Sequence, residues 1–228
     1  MQKIDQVSDH YQGDKGAAYV AQKQSDTAMP KYGFEAAYFL PYIKSTDHVL
    51  DFGCGNGGIM RHLVKQAAEV AGVEVNDASR RLAEEGGFCV YSRLGDIPED
   101  VKFDVIVSNH VLEHVPNVLD IVRELRTHLK PNGLLVVKLP IDDAQARYQR
   151  GWAKDDIDRH LFTWTPRLFA NLLYETGYDV IESRVITSAI HRYFLPLRSI
   201  GLFKPACWLV AVLLRRRQLF AVARNPVS

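Results

Sequence analysis

Cysteine is scarce in this chain. The 228 residues hold three, Cys54, Cys89 and Cys207, each in a different segment. That spacing offers no disulfide framework and no cysteine metal site, and it fits a reducing compartment. Net charge is scarce as well. Lys and Arg number 28 against 27 Asp and Glu, a formal balance of +1. No global field therefore selects nucleic acid or an anionic surface, although charge is spread less evenly toward the C-terminal section. The first residues, Met-Gln-Lys-Ile-Asp, carry no apolar run behind a basic one, so a secretory leader is not expected and a cytoplasmic location is. No long apolar run occurs either. Residues 206–214 are uninterrupted but end at Arg215, far short of the roughly 20 residues a bilayer span needs. No internal repeat or low-complexity tract appears. The length suits a single domain, residues 1–228, with room for a substantial core.

The most informative stretch present is residues 49–58, Val-Leu-Asp-Phe-Gly-Cys-Gly-Asn-Gly-Gly. It is an apolar run, then four glycines in six positions. Ile59, Met60 and Leu63 follow at helical spacing. The pattern predicts a strand, a tight turn and a helix start. Glycine at 53, 55 and 57 removes the Cβ atoms that would keep a ligand away from the backbone.

Further strands are predicted at 70–75, 89–91, 103–108, 134–139, 179–188 and 219–223. Helices are predicted at 32–42, 59–68, 78–85 and 119–129. Ile121, Val122, Leu125 and Leu129 share one face of the last of these. Pro131-Asn132-Gly133 reads as a sharp turn. Another helix opens at Thr165-Pro166, with Thr165 as cap, and ends at Gly177. Short strands that are apolar on both faces and alternate with helices indicate a mostly parallel sheet covered on both sides. Residues 1–30 read as a polar arm without strong period. Residues 190–217 read as a hydrophobic insertion between the last two strands.

The ordered motifs resemble those of class I S-adenosylmethionine-dependent methyltransferases of the small-molecule type, over roughly residues 45–185. Asp51-x-Gly53-Cys54-Gly55-x-Gly57 matches the glycine motif of that family. Glu74, at the end of the second strand with Val75 beside it, falls where a carboxylate takes the ribose diol. Asp96 and Ile97 fall where the adenine is read and covered. Residues 103–115 match the fourth-strand motif and place Asn109 and His110 toward the cofactor. The resemblance implies a Rossmann-like α/β fold with seven strands, the last antiparallel. It also implies S-adenosyl-L-methionine as methyl donor and S-adenosyl-L-homocysteine as product. The carboxylate of Asp51 suits a cofactor end carrying an ammonium and a sulfonium.

Several residues keep two readings. Glu113 and His114 either position the loop after the fourth strand or take part in chemistry, and the structural reading is the favoured one. Arg159 and His160 match a stretch ahead of the helix at 166, where they either tie the loop to the sheet or bind the acceptor. His160, or else His110, is the candidate general base, since imidazole titrates near neutrality. Tyr11, Tyr19 and Gln22 are candidate substrate-pocket residues on the arm. The acids at 142, 143, 155, 156 and 158 have no convincing ligand pattern, so no metal is expected. For residues 190–217 three uses stay open: a cover over the substrate pocket, a homodimer face, or a peripheral contact with the inner face of a membrane.

The expected reaction is methyl transfer to a small-molecule, lipid-like or lipid-linked acceptor, most simply at oxygen. No Asn/Asp-Pro-Pro-Tyr/Phe sequence follows the fourth strand and no basic aromatic stripe is present, so a nucleic acid partner is not expected. Two readings of other classes compete. An NAD(P)-binding oxidoreductase shares the glycine turn and the acid at Glu74, but no Tyr-x-x-x-Lys pair follows the fourth strand. A noncatalytic cofactor-binding or scaffold domain is the other.

Overall fold

The computed structural model describes residues 11, 13–23, 31–141, 154, 156, 159–187, 206, 209, 212–213 and 217–227. Seven strands form one sheet. They are β1 (His48–Phe52), β2 (Glu69–Val73), β3 (Cys89–Tyr91), β4 (Phe103–Asn109), β5 (Leu129–Pro140), β6 (Asp179–Thr187) and β7 (Arg217–Arg224). Their spatial order is β3-β2-β1-β4-β5-β7-β6. All pairings are parallel except those of β7, which runs antiparallel to both β5 and β6. The α/β, mostly parallel arrangement with an antiparallel last strand is the one the sequence predicts.

The described helices are α1 (Gly13–Lys23), α2 (Lys31–Ala36), α3 (Met60–Leu63), α4 (Asp77–Glu85), α5 (Val118–Thr127) and α6 (Pro166–Glu175). Two apolar clusters cover the two faces of the sheet. One gathers Leu50, Ile106, Leu135 and Val137 under α5 and α6 through Ile121, Leu125, Phe169 and Leu173. The other gathers Val49, Val107, Val136 and Val222 with Ala36, Phe39, Met60 and Leu63. The alternation of neighbours along each strand between the two clusters is the period of two that a doubly covered sheet requires.

The order of strand connection reverses across the β1/β4 boundary. From β1 the chain moves outward through β2 and β3, then returns to β4 on the other side. In an open parallel sheet a crevice forms at that switch point, beyond the carboxyl ends of the strands.

Three sequence expectations need correction. The arm is not without regular structure, because residues 13–23 form α1, seated on α4. A Cβ on Gly16 would lie 2.2 Å from Asn76 Nδ2 and 2.3 Å from the Tyr11 carbonyl, so only glycine permits this approach. The helix expected over 59–68 shortens to α3. The amides of Ala68 and Glu69 bond to the Asp47 carbonyl, which pulls the chain out of the helix to start β2. Residues 131–133 lie inside β5 rather than in a sharp turn. Asn132 adopts φ 62°, and Asn132 and Gly133 exchange backbone bonds with Asn225, so the strand continues through an irregular register with β4. Thr165 does cap α6, accepting a bond from the Leu168 amide at 3.2 Å.

Candidate active site

The turn after β1 is closed by the carbonyl of Val73, which accepts from the amides of both Gly53 and Cys54. Gly53, Gly55 and Gly57 have φ of 77°, 55° and 75°, a region L side chains rarely occupy. Cys54 points away from the crevice. Its sulfur packs against Gly72 in the core, so only its backbone faces a ligand.

A cleft of about 630 Å³, partly open to solvent, lies above this turn. Gly53, Glu74 and Val75 line it, with Tyr11 from the arm and His110, Val111 and His114 from beyond β4.

Charge in the cleft is negative and buried. Asp51 is 2% exposed, and its Oδ2 has no hydrogen-bond partner. Burial and then the neighbouring Glu74 push its carboxyl up to about 7. Glu74 is raised by burial and held back by backbone donors. Gly55 N donates to its Oε2 at 2.8 Å and Asn76 N to its Oε1 at 2.7 Å. Ser108 Oγ and Asn109 Oδ1 are also buried without partners. Asp51 Oδ2 and Asn109 Oδ1 are buried acceptors without a donor, which is costly unless a donor-rich or cationic group completes them. An α-amino group and a sulfonium answer that need. The residues present therefore fit S-adenosylmethionine.

Beyond β4 a second polar group forms. Residues 112–114 make a single 3₁₀ turn, and Glu113 within it is fully buried. Neither of its carboxylate oxygens has a hydrogen-bond partner. Glu113 Oε1 lies 3.5 Å from His110 Nδ1 and 3.7 Å from His114 Nε2. Burial alone would raise this carboxyl, but His110 and His114 more than offset it and hold it below the ordinary range. Burial lowers His114, against the pull of Glu113 and with the push of His160. His114 Nδ1 meets the Tyr11 hydroxyl at 2.9 Å. His110 Nε2 meets Gln218 Nε2 at 2.8 Å, at the start of β7. A continuous line Tyr11, His114, Glu113, His110, Gln218 thus joins the arm to the far side of the sheet.

The expected residues are placed as follows. Tyr11, Gly53, Glu74, Val75 and His110 line the cleft. Asp51 lies near the end of β1, Gly55 in the turn after it and Asn109 at the end of β4; none of the three is among the residues that line the cleft. Asp96 is exposed, bonded by Ser92 and near Arg93, and Ile97 is buried in the core; neither is among the residues that line the cleft. His160 is exposed, its ring 4.9 Å from that of His114 in an edge-on contact. Arg159 bonds to the Lys154 carbonyl. Tyr19 and Gln22 belong to α1, but their side chains lie outside the described residues, as does most of 142–158 and of 190–217.

Asn76, Ser79 and Val111 were not singled out by sequence. Asn76 carries a legible signal, since it stands three residues before Ser79 as the cap of α4 and accepts from its amide. Its amide nitrogen also donates to the Tyr11 carbonyl, a contact no local pattern encodes. Among the described residues, Glu113, His114 and His160 place ligand atoms within 4.8 Å of one another.

Comparison with known proteins completes this picture. Residues 30–183 match the methyltransferase-domain family, and the chain belongs to that family. It is similar to the ubiquinone biosynthesis O-methyltransferase of Actinobacillus pleuropneumoniae serotype 7, with 37% identity over 100 residues, 38% of this chain and 43% of that protein. The chain thus spans less than half the length of that relative. The fold is shared with NodS, an N-methyltransferase of Bradyrhizobium japonicum solved with S-adenosyl-L-homocysteine. The TM-score is 0.60 at 14% identity, over 90% of this chain and 91% of NodS. It is also shared with the [4+2]-cyclase SpnF, with TM-score 0.61 at 21% identity over 87% and 82%. Fold alone therefore does not fix the reaction.

Proposed function

We propose that this protein transfers a methyl group from S-adenosylmethionine to an oxygen of a small, lipid-like or lipid-linked acceptor. The observation that carries the reading is the buried, partnerless Asp51 oxygen beside a turn stripped of Cβ atoms, with Glu74 facing the same cleft. When bound, the cofactor supplies an electrophilic methyl group. The chain's own task is alignment and proton management. Asp51 holds the charged end, and each Glu74 oxygen keeps a lone pair for a ribose hydroxyl after accepting its backbone bond. Tyr11, Val111 and Val115 close an apolar wall against water. The name of the Actinobacillus relative supports an oxygen acceptor.

An attacking hydroxyl must lose its proton. His110 is the base best placed for this, because its ring lines the cleft. With Nδ1–H toward Glu113, Nε2 is the basic nitrogen; Gln218 Nε2 donates to it at 2.8 Å, so Gln218 must give way to the acceptor hydroxyl before Nε2 can take its proton. Glu113 is then the counter-charge for the imidazolium that forms. His160 stands outside the cleft wall, next to His114, and serves the acceptor's entry.

The test is a methyl-transfer assay with labelled donor, phenolic and lipid-linked hydroxyl acceptors, and the Glu113→Gln variant. Transfer to a hydroxyl is expected, and Glu113→Gln should slow it about 100-fold while S-adenosylhomocysteine affinity stays within a factor of a few. Turnover of acceptor without label transfer would favour a cofactor-dependent reaction of another kind, as the resemblance to SpnF allows.

A further inference from the structure

The sheet ends on β6, which among the described residues is paired on one side only, to β7. Its other side presents alternate backbone N–H and C=O groups, a template for one more strand. The sequence of β6 does little to blunt that edge. It holds neither Lys nor Pro, and Ile181 and Val185 are 49% and 46% exposed.

Both faces of β6 are engaged within the chain. On one, Tyr42 donates to the Glu182 carboxylate, and the Arg184 guanidinium lies 5.4 Å from the centre of the Phe220 ring. Arg184 Nε also meets Glu182 Oε2 at 2.8 Å. On the other, the Ser183 hydroxyl donates to the Pro166 carbonyl at the start of α6. The strand is thus held in place with its charges set, and its free edge is what it has left to offer.

The residues of that edge are complementary to themselves. About Ser183 the chain reads Ile181-Glu182 on one side and Arg184-Val185 on the other. A second copy laid antiparallel, with a two-fold axis at Ser183, sets Ile181 opposite the partner's Val185. It also sets Glu182 opposite the partner's Arg184, and the symmetry repeats both pairs. The four charges then alternate in sign around the axis. An axis normal to the sheet keeps every side chain on its own face, so the register slips only by moving the axis to Glu182 or to Arg184. Either move opposes two like charges at the axis. A bulge between Val180 and Glu182 bends the strand at the end of this stretch, which confines the added ladder to residues 181–185. A formal charge of +1 on each chain gives little general repulsion between copies.

We propose that this protein forms an isologous dimer through β6, joining two seven-stranded sheets into one with Ser183 on the two-fold axis. β5 and β7 stand between this edge and β4, and the proposal does not rest on the methyl-transfer reading.

Sedimentation equilibrium over a concentration series tests it, on the full chain and on the variants Glu182→Arg and Arg184→Glu. A dimer is expected for the wild type. Each variant alone opposes like charges twice across the axis and should raise the dimer dissociation constant about 30-fold. Mixing the two variants restores opposite charges at every pair, so a heterodimer of near wild-type affinity is expected. Its recovery also shows that both variants are folded. A wild-type protein that stays monomeric, whatever else covers the edge, would overturn the proposal. So would a dimer that neither variant weakens, or a mixture of variants that associates no better than each alone.

Discussion

Asp51 shows how a single residue can be set against the stability of the fold. Its carboxyl is raised to about 7 by burial and by Glu74, whereas in an unfolded chain it titrates near 4. The native state therefore holds the proton more tightly than the unfolded one. The stability this contributes is complete below about pH 4 and is lost as pH rises to about 7. Glu74 shifts in the same direction. Thermal or urea unfolding of the ligand-free protein should show stability falling by a few kcal/mol between pH 4 and pH 7 on this account. Asp51→Asn should flatten that slope. An unchanged slope in the variant would mean the carboxyl is not held in its protonated form by the fold. Asp51 was legible in the sequence because its spacing to three glycines is local. Glu113 was read mainly as a positioning residue, because nothing in its neighbourhood reveals that both its oxygens are buried and lack donors. That fact depends on where residues 103 positions apart, such as Tyr11 and His114, come to rest.

At the scale of elements, the turn between β1 and α3 is the part the rest is arranged around. Gly53 has φ 77°, and a Cβ there would lie 2.3 Å from Val111 Cγ2. Backbone strain and that overlap act together, so Gly53→Ala should destabilise the protein by about 1–3 kcal/mol and narrow the cleft at its floor. Denaturant unfolding measures the first effect and ligand titration the second. A variant as stable as the parent would show that this turn tolerates ordinary side chains. Strands were legible here because runs such as Val105-Ile106-Val107 are apolar on both faces and bounded by polar residues. Helix lengths were less so. The end of α3 is decided by bonds to Asp47, and the continuity of β5 through Asn132 by bonds to Asn225. Both are tertiary contacts that override local turn and helix preferences. The arm gave no strong period because, among the described side chains of α1, only Gly16 and Val20 are buried.

Over the whole molecule, the strand order β3-β2-β1-β4-β5-β7-β6 brings distant segments to one sheet edge. The arm, the ends of β1, β2 and β4, and the start of β7 meet there. Lys138 illustrates how firmly that edge is built. It is fully buried in β5, paired with Glu35 of α2 and set over the Tyr38 ring, so the N-terminal helices are fastened to the same end of the sheet as the cleft. The central claim is that this edge is made for an adenosyl sulfonium donor rather than a nicotinamide dinucleotide. Calorimetric titration of the wild-type protein and Asp51→Asn with S-adenosylhomocysteine and with NAD tests it most directly. The account predicts saturable heat from S-adenosylhomocysteine alone, with affinity about 10- to 100-fold weaker in Asp51→Asn, the loss expected for one charge-assisted hydrogen bond. Binding of NAD without S-adenosylhomocysteine, or an affinity indifferent to Asp51, would contradict it.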